Sequence, residues 1–461
     1  MDNVIVVGAG PVGLWLAGEL RLAGVPVTVV EREPGRRAFT RALGIHARTV
    51  EVLAMRGLAE TPLAEGRALP RWHFGMLPAF PDYSGLDTPY PFVLAYPQNA
   101  LEDLLERRAV ALGAIVRRGV AVTTLTQDHA GVRARLADGT ELTASWLAGA
   151  DGAGSVVRKA AGIAFTGTDA TLWGYVADVT LSAPPEITGT LSTPDGALVV
   201  APLPGGRFRL AGFDPRDQEP DREMTMERLV ASVRRAAGRD LGIVAASWIS
   251  RFGNATRQAA DYRAGRVLLA GDAAHMHMPT GGVGLNIGVQ DAMNLGWKLA
   301  AVARGAAPES LLDTYHAERA PVGAAMLANT QAQTALVAAF TPEGQALRAH
   351  LSALLERHPA VQHDLALGVS GLDVRYPPAD PGAHPLTGRR FADPAVFPLL
   401  ADARPVLVRA PSTPPVETHL PVLEAAPDAA YALIRPDGHV WWATDEPDPR
   451  AAAETIARLW G

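Results

Sequence analysis

The sequence predicts an α/β fold in which a parallel-sheet unit is interrupted by a β-rich unit and followed by a small third unit. Three observations lead there. The glycine turn Gly8-Ala9-Gly10-Pro11-Val12-Gly13 joins an apolar run, Val4 to Val7, to a helical pattern. Between Trp173 and Ser250 the pattern changes to short β-type runs broken by Pro and Gly, then returns at Val267 to strand, glycine turn and helix. A Pro-rich stretch, Tyr376 to Gly382, sets off the end of the chain.

Ile5, Val6 and Val7 are apolar without alternation, as in a strand buried on both faces. Helix Val12 to Leu22 follows, with Leu14, Leu16, Ala17 and Leu20 inward, and then strand Val27 to Val30. Together they form one βαβ unit. Arg48 to Met55 and Gln98 to Leu112 read as helices, and Trp72 to Phe74 and Phe92 to Ala95 as strands. Val120 to Leu125, Val132 to Leu136 and Glu141 to Leu147, separated by turns such as Asp138-Gly139, read as an antiparallel meander. The middle unit carries one helix, near Met224 to Ala236. Val267 to Ala270 is again a buried strand, followed by a helix from Leu285 to Ala303. Glu309 to Thr341 is rich in Ala and Leu and reads as helical. The terminal unit has strands Val406 to Arg409 and Tyr431 to Arg435 and a helix Arg450 to Trp460.

The chain has 461 residues, 48% of them apolar and 20% charged, enough for two or three packed domains. A net charge of -6 argues against a nucleic-acid partner. Lysine occurs only at Lys159 and Lys298. There is no cysteine, so disulfides, thiolate metal sites and a Cys nucleophile are excluded, and redox chemistry must come from a cofactor. Val4 to Val7 runs straight into the glycine turn behind Asp2 with no basic segment, so it is read as a strand and not a signal peptide. No apolar stretch is long enough to span a bilayer. A soluble cytoplasmic protein, monomeric or homodimeric, is expected.

The glycine triplet has a physical logic. The first glycine makes the tight turn, the second lets backbone approach a pyrophosphate, and the third lets the helix pack on the strand. The helix N-terminus then presents free N–H groups to the phosphates. Glu31 ends the second strand, where a carboxylate can take ribose hydroxyls. This is a Rossmann-like dinucleotide site. Three further segments favour FAD: Ala150-Asp151-Gly152; Gly271-Asp272-Ala273-Ala274-His275, where Asp272 can accept a ribityl hydroxyl; and Pro279-Thr280-Gly281-Gly282-Val283-Gly284-Leu285-Asn286, which brings glycine backbone up to a helix start. Asp151-Gly152 read alone is equally an ordinary turn. His275 and His277 invite a metal, but structural or pocket-lining roles fit them better, and no metal is expected.

From Gly271 onward, GDAAHMHMPTGGVGLNIGVQDAMNLGWKLA resembles the second flavin motif of class A flavoprotein monooxygenases, the relatives of para-hydroxybenzoate hydroxylase. RALGIHARTVEVL (Arg41 to Leu53) and TRQAADYRAGRVLLAGDAAH (Thr256 to His275) are similar to the aromatic polyketide hydroxylases and rifampicin monooxygenases within that class. The resemblance spans almost the whole chain.

It implies a discontinuous FAD-binding domain (1–172 and 255–375), a β-rich substrate domain (173–254) and a thioredoxin-like C-terminal domain (376–461), here without Cys. It also implies site roles. Gly8, Gly10, Pro11, Val12 and Gly13 hold the pyrophosphate, Glu31 and Arg32 the adenosine ribose, and Arg41 and Gln98 the cofactor's middle. Val122 meets the adenine side. Asp151 serves both FAD and NADPH, Asp272 serves FAD, and Pro279, Gly284, Leu285 and Asn286 border the isoalloxazine. Arg158 is a candidate for an NADPH phosphate. Trp72, Phe74, Trp173, Tyr175 and Phe213 are candidate pocket liners, though such residues are more often plain core. Glu31 is otherwise a solvated strand end, Arg41 an ion pair, Gln98 a helix start and Arg158 a surface charge. Val283 stands where many relatives have Gln.

The activity implied is NADPH-dependent reduction of FAD, reaction with O2 to a flavin C4a-hydroperoxide, and transfer of one oxygen atom to a phenolic, polycyclic substrate. No catalytic side chain is identified. Baeyer–Villiger insertion or antibiotic modification by the same peroxide stays open, as does a non-catalytic FAD-holding role. A flavin halogenase is disfavoured because Trp-x-Trp-x-Ile-Pro is missing, and a plain NAD dehydrogenase by Gly271-Asp272.

Overall fold

The computed structural model describes residues 3–36, 39–40, 42–220 and 222–460. Its main sheet has six strands in the order Arg263–Ala264, Val267–Leu269, Trp146–Gly149, Val4–Val7, Val27–Glu31, Ile115–Arg118. All neighbours are parallel except the first pair. Val4–Val7 is central and wholly buried, which is why it reads as an unbroken apolar run. Helices Pro11–Leu22 and Gly284–Ala303 pack on it and on each other. Gly288 makes this approach possible, since a Cβ there would lie 2.6 Å from Val12 Cγ2.

The structure splits the segment read as one strand from Glu141 to Leu147. Glu141–Ala144 closes a three-stranded meander with Val122–Gln127 and Val132–Leu136, while Trp146–Gly149 joins the main sheet. Trp72 to Phe74, expected as a strand, lies in an irregular segment whose only pairing there is an isolated Arg71–Asp82 bridge. The Ala-rich helix starts at Asp313, after a 3-10 turn, and ends at Val337 rather than Thr341. Thr341 instead caps the next helix, Pro342–Arg357, by accepting the Gly344 N–H (3.1 Å). A further helix, Pro359–Ser370, follows.

The middle sheet is antiparallel, in the order Gly189–Thr193, Gly196–Pro202, Phe208–Phe213, Trp173–Leu181, Ile243–Gly253. Helix Met226–Ala237 covers one face, capped by Thr225 and ended by left-handed Gly238. The terminal sheet runs Val422–Glu424, Val406–Arg409, Tyr431–Ile434, Val440–Thr444, with the first pair parallel and the others antiparallel. That is a thioredoxin-like order whose first crossover, 410–421, is not helical. Helix Pro449–Trp460 packs against it. No helix among the described residues is long and apolar enough to cross a membrane.

Candidate cofactor and substrate site

The three glycines of the first turn meet different surroundings. Gly8 is left-handed (φ 105°), and a Cβ there would collide with the Ala150 carbonyl oxygen. At Gly13 a Cβ would collide with the Gly8 carbonyl oxygen. At Gly10 it would meet nothing within 4 Å. Two glycines thus close the packing and the third faces open space. Helix Pro11–Leu22 begins there with Pro11 in its first turn, no side-chain cap and no acidic residue, so its positive end is free for an anion. Glu31 sits beside the turn. Its Oε2 accepts the Ala9 N–H (2.7 Å) and its Oε1 the Glu33 N–H (2.9 Å), leaving lone pairs on both oxygens. Arg32 is exposed and lies 3.5 Å from the Glu33 carboxylate. Val120 donates its N–H to the Glu31 carbonyl (3.1 Å), which leads buried Val122 past the same end of the sheet.

Gln98 fastens the segment leading to this site. Its Oε1 accepts the Ala42 N–H (3.1 Å), its backbone N–H reaches Thr40 Oγ1 (2.8 Å), and its amide nitrogen donates to Glu102 (2.7 Å). Arg41 lies outside the described residues.

Asp151 caps the short helix Val156–Ala160. It accepts the Ser155 hydroxyl (2.5 Å) and the N–H groups of Val156 (2.7 Å) and Val157 (3.2 Å). Arg158 is not a surface charge. Its guanidinium lies over the Phe165 ring (3.7 Å) and donates to the carbonyls of Ala153 and Ala273 (both 2.9 Å), so it braces the Gly271–Ala273 turn. Asp272, in that turn, is exposed and its carboxylate makes no hydrogen bond among the described residues.

The second glycine loop leads into helix Gly284–Ala303, which also lacks a side-chain cap and an acidic first turn. Pro279 is exposed, and Gly284 and Leu285 are half-buried. Asn286 is buried and fully engaged: Oδ1 accepts the His46 N–H (2.8 Å), while Nδ2 donates to the carbonyls of Gly282 (2.9 Å) and Gly44 (3.2 Å). His46 and Trp72 hold the loop from the other side, both to the Gly281 carbonyl (2.9 Å each). Burial pushes His46 down to about 4, so it is neutral, and Nε2–H is the donor to Gly281.

Strand alternation sorts the pocket candidates. Phe213 lies on the face of the middle sheet away from helix Met226–Ala237, edge-on to Phe252 (5.4 Å) and clustered with Met76, Met278 and Val337, with Leu172 and Phe340 alongside. Gly174 makes room for both rings: a Cβ there would lie 2.5 Å from Phe213 and 2.6 Å from Phe252. Tyr175 is on the opposite face, in the core under helix Met226–Ala237, so it is corrected from pocket liner to core. Trp173 shares that parity, its ring set against Gly253. Phe74 packs behind the glycine loop with Leu77, Val283 and Met326. The sequence did not single out Met76, Met278, Phe252 or His46. On the same face as Phe213, Arg209 pairs with Asp178 (2.8 Å) and donates to the Thr40 carbonyl, and Trp248 stacks on Phe39 (4.2 Å).

These surroundings fit FAD. The open Gly10 suits a pyrophosphate, free Asp272 suits a hydroxyl donor, and the uncapped start of helix Gly284–Ala303 suits an electron-rich ring edge. No group of acidic and His residues that can hold a metal occurs among the described residues. A dinucleotide turn, a second glycine loop at a packed helix start and an aromatic sheet face define a flavin-dependent oxygenase architecture. Residues 1–330 match the FAD binding domain family. The chain is 43% identical to an aromatic compound monooxygenase, itself uncharacterized, of Bacillus subtilis (97% of this chain, 95% of that one). It is 41% identical to rifampicin monooxygenase of Streptomyces venezuelae (97% and 96%). The solved anhydrotetracycline hydroxylase of Streptomyces rimosus matches with a TM-score of 0.90 at 39% identity, over 100% of this chain and 99% of that one. The chain belongs to the FAD binding domain family and is a flavoprotein monooxygenase.

Proposed function

We propose that the protein uses FAD, NADPH and O2 to insert one oxygen atom into a phenolic, polycyclic aromatic compound. The observation that carries this is the apolar cluster of Phe213, Phe252, Met76 and Met278 on one face of the middle sheet, with Met278 leading directly into the second glycine loop. An aromatic substrate gains by burial and ring contacts there, with few polar groups to desolvate. Similarity to enzymes named for rifampicin and anhydrotetracycline supports a polycyclic one.

Bound FAD, reduced by NADPH, supplies the activation of O2 and the transferable oxygen. The chain's residues do the rest. Gly10 and the start of helix Pro11–Leu22 receive the pyrophosphate, and Glu31 the ribose, with Val122 near the adenine. Gln98 holds the segment that flanks Arg41. Asp272 receives a ribityl hydroxyl, and Arg158 and Asp151 shape the backbone around it. Pro279, Gly284 and Leu285 border the ring, and Asn286 with His46 fixes the loop that carries them. The uncapped helix start at Gly284 would stabilise negative charge on a bound flavin ring. The parts divide as 1–172 with 255–375 for cofactor, 173–254 for substrate and 376–461 as a terminal unit. No second strand-borne G-x-G-x-x-G occurs, in keeping with transient NADPH binding.

The test follows NADPH oxidation in air by the FAD-loaded protein across a panel of phenolic polycyclic compounds, with product masses. Stimulated oxidation with a product one oxygen atom heavier is expected. Peroxide as the only product with every compound would overturn the proposal.

A further inference from the structure

The tip of the terminal hairpin, Arg435-Pro436-Asp437-Gly438-His439, does not face solvent. Arg435, Asp437 and His439 are each no more than 5% exposed, buried in the unit that carries the cofactor motifs. Arg56 donates to the Pro436 carbonyl (3.0 Å) and Arg48 to the Asp437 carbonyl (2.7 Å). Arg435 makes a two-pronged pair with Glu318 (2.8 and 2.9 Å) and another pair with Asp437. Lys298 (2.7 Å) and Asn294 (2.6 Å) also bond Glu318.

The next residue in the chain, Arg319, faces the other way. Its Nε donates to Asp291 Oδ1 (2.7 Å), and its other nitrogens reach the Ile287 carbonyl (3.2 Å) and the Tyr376 hydroxyl (3.3 Å). The Arg435 guanidinium lies over the Tyr376 ring (4.9 Å). Asp291 Oδ2 completes the chain, accepting from His275 Nε2 (2.7 Å) and from the backbone N–H of Gly271 (3.1 Å). Gly271 is the residue before Asp272. A run of buried charged groups therefore connects the hairpin to the turn that presents Asp272, whose exposed carboxylate makes no hydrogen bond among the described residues. Asp291, Asn294 and Lys298 lie at i, i+3 and i+7 on helix Gly284–Ala303, so one rigid face holds both ends.

Balance makes the run sensitive. Asp291, Glu318 and Asp437 stand against Arg319, Lys298 and Arg435. Without Arg435, two carboxylates share one ammonium out of water, and buried charge without a partner forces rearrangement. The adjacent Glu318–Arg319 pair is where that rearrangement passes to Asp291.

We infer that the hairpin 435–439 is a positioning element for the cofactor: its docking, relayed through Glu318–Arg319 and Asp291, sets where Gly271 and Asp272 stand and so tunes FAD affinity. This needs FAD binding alone and is independent of the substrate oxidised.

Coupling between sites is reciprocal, so FAD must also hold the hairpin. The first experiment is hydrogen–deuterium exchange on the full wild-type chain with and without FAD. Slower exchange is expected at 431–444 as well as at 8–13 and 271–286. Unchanged exchange at 431–444, with both glycine segments protected, overturns the inference. Protection in none of the three segments removes the cofactor assignment itself, which keeps the two failures apart. The second experiment titrates apo variants with FAD by flavin fluorescence. Arg435→Gln is expected to raise Kd by about tenfold, within the usual span of such couplings. Arg409→Gln removes an ion pair with Glu424 inside the terminal sheet, away from the hairpin, and is expected to leave Kd unchanged. Equal effects on Kd from both variants, or none from Arg435→Gln, mean a merely structural role.

Discussion

Gly10→Ala separates cofactor binding from folding. Gly10 has φ -80° and ψ -179°, an extended conformation open to any residue, and a Cβ there meets no atom within 4 Å. Alanine in a compatible conformation gains about 0.4–1 kcal/mol by restricting the unfolded chain. At a helix N-cap it loses a comparable few tenths to about 1 kcal/mol against glycine. Apo stability therefore stays within about 1 kcal/mol of wild type. The methyl group, however, occupies the space through which a pyrophosphate approaches the first-turn N–H groups. Losing two charge-assisted hydrogen bonds of about 1.5–3 kcal/mol each weakens FAD binding by about a hundredfold or more. Gly13→Ala is the contrast. Its Cβ would meet the Gly8 carbonyl oxygen far inside the 3.0 Å that real Cβ atoms respect, and the obstacle is backbone. Helix Pro11–Leu22 must shift, costing about 1–3 kcal/mol of stability along with FAD affinity. The assay pairs urea denaturation of the apo proteins with FAD titration. Wild-type affinity in Gly10→Ala, or a stability loss equal to that of Gly13→Ala, would refute the argument.

Three other outcomes are expected. Tyr175→Phe leaves aromatic-ligand binding unchanged and is neutral to slightly stabilising in thermal melts, since its hydroxyl is buried without a hydrogen-bond partner; Phe213→Ala or Phe252→Ala weakens the binding of polycyclic phenols, read from perturbation of the flavin spectrum, and an effect of Tyr175→Phe equal to theirs would contradict the assignment of sheet faces. Asn286→Asp turns a donor toward the carbonyls of Gly44 and Gly282 into an acceptor and destabilises the chain by about 2–5 kcal/mol in urea titrations. Burial pushes both His46 and His439 down to about 4, below the ordinary 6.5, so the unfolded chain takes up protons first as pH falls. Stability contributed by keeping them neutral is intact above pH 6.5 and is lost toward pH 4, with a steepest slope of about 2.7 kcal/mol per pH unit for two protons; a flat urea midpoint from pH 7 to 5 would show that they titrate normally.

What could be read from the sequence was what is encoded locally. Val4–Val7, the glycine spacing and Val27–Glu31 announce a doubly covered parallel strand pair because apolar continuity and turn chemistry are properties of neighbours in the chain. Alternation placed Tyr175 and Phe213 in strands, but which face helix Met226–Ala237 would cover is decided by packing, and so the sequence left Tyr175 between liner and core. Asn286 and His46 stand 240 residues apart, and nothing near either announces the other. Thr341-Pro342-Glu343 is a helix-start signal lost in an Ala-rich run that reads as continuous helix. Asp437-Gly438 reads as a turn, and turns are ordinarily solvated; its burial under Arg48 and Arg56 is visible only in three dimensions.

The strand order of the main sheet also governs how the chain leaves the ribosome. Val4–Val7 has Val27–Glu31 beside it early, but its other neighbour, Trp146–Gly149, has an open edge until Val267–Leu269 is made. The five-stranded sheet from Trp173 to Gly253 is synthesised wholly within that interval. At translation speeds of about 5–20 residues per second, the half-built sheet waits several seconds with an apolar edge exposed. Sequence changes that slow the middle sheet therefore lengthen the exposure of a strand they never touch. Their first symptom is aggregation during synthesis, in a protein whose surviving molecules bind flavin normally.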